Sequence, residues 1–117
     1  MVVGRLKNWN VVISGGATGA GGASSELFAK EGAQIAIFDI NEDAAQRTAE
    51  RIRQQGGCAF VTVADVSRAS DVEKAASQIL DTFPGRVDCL FNHAGNVIVK
   101  DFLDTDEADW DFMMTST

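Results

Sequence analysis

The stretch Val11–Gly22 reads VVISGGATGAGG. A β-branched run opens into five glycines within the eight positions 15–22. Together with Trp9 and Asn10, the first part, WNVVIS, reads as a short buried strand, Trp9–Ser14, stopped by glycine. The next segment, Gly19–Lys30, reads as a helix, with Ala20, Ala23, Leu27 and Phe28 on its inner face and Gly32 placed to terminate it. A helix N-terminus presents unpaired N–H groups and about half a unit of positive charge, so it receives an anion where the backbone can come close. Glycines remove the side chains that would block that approach. A generic glycine turn is the bland alternative, but the position between a buried strand and a helix argues for a diphosphate turn.

The alternation continues outward from that turn. Gln34–Asp39 (QIAIFD) reads as a second strand. Asn41 is placed to cap the next helix, with Glu42 and Asp43 in its first turn and Ala45, Thr48, Ala49 and Ile52 as its inner stripe. Gly56-Gly57 stops it, and Cys58–Ala64 is a third strand. Ser70-Asp71-Val72-Glu73 has the pattern of a capping box. The stripe Val72, Ala75, Ala76, Ile79, Leu80 and Phe83 then defines a third helix, ended by Pro84-Gly85. Arg86–Asn92 is a fourth strand, and Thr105 or Asp106 starts a last helix that runs through Trp110.

Strands alternating with helices imply an α/β fold with a parallel, Rossmann-like sheet. Right-handed crossovers send strands 1, 2 and 3 outward in one direction, so strand 4 lies on the other side of strand 1. The expected order is 3-2-1-4, with helices on both faces and the third helix opposite the first two. Strands 1 and 4 should be partly bare, and strand 4 should be an open apolar edge suited to self-association or to a covering partner. The same order holds Cys58 and Cys89 three strand spacings apart, roughly 14 Å, against about 7 Å for a disulfide.

Bulk properties narrow the function classes. The 117 residues suffice for one domain. The net charge of -7 argues against a nucleic-acid partner. No apolar run approaches the ~18 residues of a membrane span, and the N-terminus lacks a signal-peptide pattern. A cytoplasmic protein with reduced thiols is expected. Two cysteines outside any CxxC pair and one histidine make a zinc site a poor reading, and no metal is expected.

The next chemical signal is Asp39, 18 residues beyond Gly21 at the end of strand 2. An acid at about this distance accepts hydrogen bonds from the adenosine ribose hydroxyls. It also repels a 2′-phosphate. With Ile40 and Asn41 after it and Thr18 in the turn, none of them basic, NAD is expected over NADP.

Four separated motifs carry a resemblance. Ser14-Gly15-Gly16-Ala17-Thr18-Gly19-Ala20-Gly21 resembles the T-G-x-x-x-G-x-G fingerprint of short-chain dehydrogenases/reductases, with Ser for Thr. Asp65-Val66 resembles that family's D-V after strand 3. Asn92-His93-Ala94-Gly95 resembles its N-N-A-G, with His for the second Asn, and DWDFMM resembles the start of its following helix. The resemblance implies that Gly15, Ala17, Thr18, Gly19 and Ala20 lie along a diphosphate. It further implies that Asp39 and Ile40 flank the ribose, that Asp65 and Val66 hold the adenine, and that Asn92, Ala94 and Gly95 border the cofactor. His93, a lone His in a tight turn, reads as structural.

The family's activity is hydride transfer between a nicotinamide cofactor and a carbonyl or secondary alcohol. It uses a Tyr, a Lys four residues later, a Ser and a relay Asn. This chain has no tyrosine, Lys100 is the only lysine after the Asn92–Gly95 turn, and Thr115-Ser116-Thr117 stands where the relay Asn would fall. No catalytic residue is assigned. The chain is expected to be the NAD-binding first half of such an enzyme, inactive alone. A non-enzymatic dinucleotide-binding module working through a partner is the alternative. A receiver-type signalling domain would need clustered acids after strand 1, where Ser14-Gly15-Gly16 stands.

Overall fold

The structure, a computed structural model, describes residues 4–83 and 85–115. The elements are β1 (Asn10–Ser14), α1 (Gly19–Lys30), β2 (Gln34–Asp39), α2 (Glu42–Gln54), β3 (Cys58–Val63), α3 (Ala69–Thr82), β4 (Cys89–Asn92) and α4 (Glu107–Thr115), with a single 3-10 turn at Phe102–Asp104. The sheet is parallel throughout, in the order β3-β2-β1-β4. Val11 pairs with Ile35 on one side and with Cys89 on the other, so β1 is the central strand of the switch.

The period of two along the strands divides the core into two layers. Val11, Ile13, Ile35 and Ile37 face α1 and α2, where Ala44, Ala45, Ala49 and Ile52 close over them. Val12, Ala36 and Phe38 face the other way, onto Ala75 and Ile79 of α3 and Phe83 just after it. The rings of Phe60 and Phe83 meet edge-on at 5.1 Å on that side. The third helix thus lies opposite the first two. β1 is buried on both faces rather than partly bare, because α3 reaches across to Val12. β4 does carry an exposed residue, Leu90. Cys58 and Cys89 sit on the two edge strands.

Local chemistry explains most element ends. Asn41 Oδ1 accepts from the Ala44 N–H at 3.0 Å and caps α2 as its sequence position implies. Gly32, at φ +96°, follows α1 and donates to the Ala29 carbonyl. Three expectations need correction. Phe28 packs on the core as expected, but Ala20, Ala23 and Leu27 are exposed; the first two turns of α1 are buried through Gly21, Gly22 and Ser25, because the helix start lies close to the end of β1. The Ser70–Glu73 capping box does not form. α3 begins at Ala69 after Arg68, and the Asp71 carboxylate instead accepts from the Asp65 N–H at 3.1 Å. Along α3, Ala75, Ile79 and Phe83 are buried, whereas Val72, Ala76 and Leu80 are exposed.

Strand bounds also shift. Trp9 stands outside β1 and Ala64 outside β3. β4 begins at Cys89 rather than Arg86, because the Asn10 N–H is taken by the Asp88 carboxylate at 2.8 Å and its side-chain amide by the Arg86 carbonyl. Pro84, Ser116 and Thr117 lie outside the described residues. The last helix contains Trp110 as expected and runs Glu107–Thr115, starting just after Asp106. It is opened by a reciprocal box in which Asp106 Oδ1 accepts from Asp109 N–H and Asp109 Oδ2 from Asp106 N–H.

Two outcomes are expected. Gly21 lies where a Cβ would overlap the Gly15 carbonyl oxygen. Gly21→Ala should therefore cost about 1–3 kcal/mol in urea melts, although Gly→Ala in a helix ordinarily gains about 1 kcal/mol. Glu31 is buried, and hydrogen bonds from the Arg5 guanidinium and the Arg5 N–H hold its carboxyl below the usual carboxylate range. That stabilisation is present above the unfolded-state pKa of about 4.3 and is lost as pH falls through the lower folded value. Glu31→Gln should flatten the acid limb of a stability–pH curve there.

Candidate functional site

The carboxyl ends of the strands meet at one crevice. β1 gives way there to the glycine turn. Gly15 still donates to the Phe38 carbonyl at 2.8 Å, then turns at φ +71°. A Cβ at Gly15 would lie 2.9 Å from both the Cα and the nitrogen of Ala94. The turns after β1 and β4 therefore touch backbone to backbone, and Gly15 meets both the conformational and the steric demand. Ser14 latches the pair: its Oγ accepts from His93 N–H at 3.1 Å and Ala94 N–H at 3.3 Å.

Asp39, at the end of β2, closes the crevice from the other side. Its Oδ2 accepts from the Ala17 N–H at 3.1 Å and its Oδ1 from the Asn41 N–H at 3.0 Å. One carboxylate thus joins the glycine turn to the start of α2. Asp65, after β3, is turned back on Ser67: Oδ1 accepts from the Ser67 hydroxyl at 2.6 Å and from the Ser67 N–H at 2.9 Å. The Ser67 hydroxyl, then its N–H, hold the Asp65 carboxyl below its ordinary range.

Between these turns lies a cavity of about 430 Å³, a size typical of ligand sites. Of the residues singled out from the sequence, Gly15, Thr18, Asp39, Ile40, Asp65, Val66, Ala94 and Gly95 line it. The others do not. Ala17 is buried under the turn, Gly19 and Ala20 are exposed at the start of α1, and Asn92 faces a neighbouring groove on the α3 side. The sequence reading missed Phe38, Ala64, Ser67, His93, Asn96, Phe112 and Thr115 in the lining. Two signals could have found some of them. Ser67 follows Asp65 at the spacing of an Asx turn, and Phe112 and Thr115 share a face of α4 at three-residue spacing.

The cavity is suited to a molecule with an anionic middle. The N-terminus of α1 opens beside it with no side-chain cap from Thr18 and no acid in the first turn. α2, by contrast, is capped by Asn41 and carries Glu42 and Asp43. A Cβ at Gly19, where φ is +56°, would meet nothing within 4 Å, so the space before the helix is open. Beyond it stand two acids, Asp39 and Asp65, and the lining contains no lysine or arginine. Among the described residues no cluster of His, Cys, Asp and Glu could hold a metal ion, and no helix is long and apolar enough to cross a membrane.

The short chain dehydrogenase family model matches residues 9–116. The chain belongs to the short-chain dehydrogenase/reductase family. An oxidoreductase of Bacillus subtilis, YxbG, is 47% identical over 93 residues, which cover 80% of this chain and 34% of that protein. Cyclopentanol dehydrogenase of Comamonas testosteroni is 35% identical over 93% of this chain and 43% of its own length. A short chain dehydrogenase from Mycobacterium smegmatis superimposes with a TM-score of 0.90 at 28% identity, over 97% of this chain and 47% of that one. The chain thus spans less than half the length of these relatives. Short-chain dehydrogenases/reductases bind a nicotinamide dinucleotide and small-molecule substrates, and this crevice lies at the switch between β1 and β4, where such sheets receive dinucleotides.

Removing the latch should loosen this crevice selectively. Ser14→Ala leaves the Ala94 N–H without its acceptor and the His93 N–H with only the Ser14 carbonyl, at 3.2 Å, and should cost about 1–3 kcal/mol. Amide exchange at residues 93 and 94 should rise more than exchange within β2.

Proposed function

We propose that residues 1–117 form the dinucleotide-binding half-domain of an NAD-dependent short-chain dehydrogenase/reductase. Asp39 carries the reading. It stands at the end of β2, with its carboxylate already fixed by two backbone N–H groups and with lone pairs left for a ribose diol. A 2′-phosphate would bring a second negative charge beside Asp39, and no lysine or arginine in the lining would balance it. That absence supports NAD over NADP.

In this reading Gly15, Thr18, Gly19 and Ala20 run along the diphosphate, and Ala17 supports the turn from beneath. Ile40 covers the ribose beside Asp39, Asp65 and Val66 hold the adenine, and Ala94 and Gly95 border the cofactor, with Asn92 steadying the end of β4. When bound, NAD supplies a hydride acceptor, and NADH a donor, for a secondary alcohol or carbonyl in the parent enzyme. The proton that accompanies the hydride needs an acid–base group, and this chain has no tyrosine to supply one. The residues here therefore bind and orient, and the chain alone is inactive. An exposed Leu90 on edge strand β4, with Val87 just before it, supports a covering partner or self-association at that edge.

The test is a titration of the chain with NAD and NADP. NAD should bind more tightly. Asp39→Ala should weaken NAD about tenfold or more, as expected for loss of hydrogen bonds to a charged group, and should narrow the preference over NADP. Unchanged affinity for both would remove Asp39 from the site. No NADH should form with a panel of secondary alcohols.

A further inference from the structure

The glycine turn is aimed from beneath by hydroxyl groups that the binding reading does not use. Thr48, on the inner face of α2, is wholly buried. Its Oγ1 donates to the Ala17 carbonyl at 2.7 Å. The same oxygen accepts from Arg51 Nη2 at 3.0 Å, while Arg51 Nε is held by Glu26 at 2.9 Å. A hydroxyl has a single proton. With Arg51 donating to its oxygen, that proton is committed to Ala17.

The consequence lies on the other side of the peptide. The Ala17–Thr18 bond is trans, and in a planar trans peptide the carbonyl and the following N–H point in opposite directions. Anchoring the Ala17 carbonyl down onto α2 turns the Thr18 N–H up, to the exposed side of the turn where Thr18 lines the cavity. The preceding peptide is locked differently. The Gly16 carbonyl accepts from Ser25 Oγ at 2.8 Å, and the Ala17 N–H is taken by Asp39. Of the two peptides, only the one that Thr48 orients presents its N–H to the open side.

We infer that Thr48 is a positioning residue for dinucleotide binding: through the Ala17 carbonyl it sets the direction of the Thr18 N–H that meets the diphosphate. This rests on the NAD-binding reading above. Thr48 touches no ligand itself. Its loss should weaken ligands that have a diphosphate and spare adenosine, which lacks one and is held at the Asp39 and Asp65 end.

The experiment compares NAD and adenosine affinities of the full chain with those of Thr48→Val and Thr48→Ser, with thermal melts of each. Thr48→Val keeps the shape and removes the hydroxyl. It should weaken NAD about tenfold, the effect of leaving one buried acceptor unpaired, and should change adenosine affinity less than about twofold. Thr48→Ser keeps the hydroxyl and should restore NAD binding. Should Thr48→Val fail to fold, Arg51→Met is the deciding variant. It removes an exposed side chain and with it the donor that holds the Thr48 hydroxyl in its orientation toward Ala17, and should weaken NAD about threefold with adenosine unchanged. An unchanged NAD affinity in the deciding variant overturns the inference. So does an equal loss of both ligands, which would mark a general structural role. Failure of the unmodified chain to bind NAD at all overturns the NAD-binding reading, and the inference with it.

Discussion

The structure depends on a backbone-to-backbone contact. Where β1 ends, Gly15 lies against Ala94 of the β4 turn on one side, and its carbonyl lies against Gly21 of α1 on the other. Neither approach leaves room for a Cβ. The contact draws α1 down onto the strand ends, fixes the distance between the β1 and β4 turns, and so opens a crevice at the point where the sheet order reverses. Without it, α1 would ride higher on the sheet, and its N-terminus would no longer open at the cavity formed by β2, β3 and β4. The glycines therefore serve packing as much as ligand access. Of the three in the fingerprint, Gly21 is required by its neighbours, Gly19 by its open backbone conformation, and Gly15 by both.

Close packing has a polar cost, because it buries backbone groups that must find partners. Side-chain hydroxyls meet it here. Ser14 serves the β4 turn, Ser25 the Gly16 and Gly21 carbonyls, and Thr48 the Ala17 carbonyl. Among the described residues no buried side-chain oxygen or nitrogen is left without a partner. These hydroxyls bind particular peptide groups of the turns and so favour one orientation of them. The rigid part of the crevice is thus built from small residues with short reach, and the longer charged side chains sit at its margins.

This division explains what could be read in the sequence and what could not. The sheet order, the two faces and the α2 cap were legible, because they follow from chirality, from alternation of apolar residues and from an Asn three positions ahead of the N–H it accepts. The inner face of α1 was not, since a search for apolar periodicity favours Ala20, Ala23 and Leu27. The fully buried residues are Gly21, Gly22 and Ser25, set by smallness, with Phe28 following at the helix's other end. The Ser70–Glu73 pattern misled for a related reason: Asp71 was committed to a partner outside its helix, the Asp65 N–H, which a local capping rule does not consider. Most of the candidate site was legible, because the fingerprint residues sit at strand ends. Phe112 and Thr115 could be placed on one face of α4 but not in the wall, because that depends on where α4 returns after a long loop.

A net charge of -7 does not prevent the chain from offering a site to an anion. Charge counted over the whole molecule decides solubility and long-range encounter, with screening over about 8–10 Å in physiological salt. Binding is decided within the crevice, where charge is segregated. The start of α1 has no side-chain cap and no acid in its first turn, whereas Asp39 and Asp65 stand at the ends of β2 and β3, with one Asp39 oxygen already taken by the Ala17 N–H. A ligand with a diphosphate next to a diol matches that order, with its anion at the helix and its hydroxyl donors at Asp39. A phosphate placed on the diol would reverse the match at one end only. Such a match requires no cationic side chain in the site.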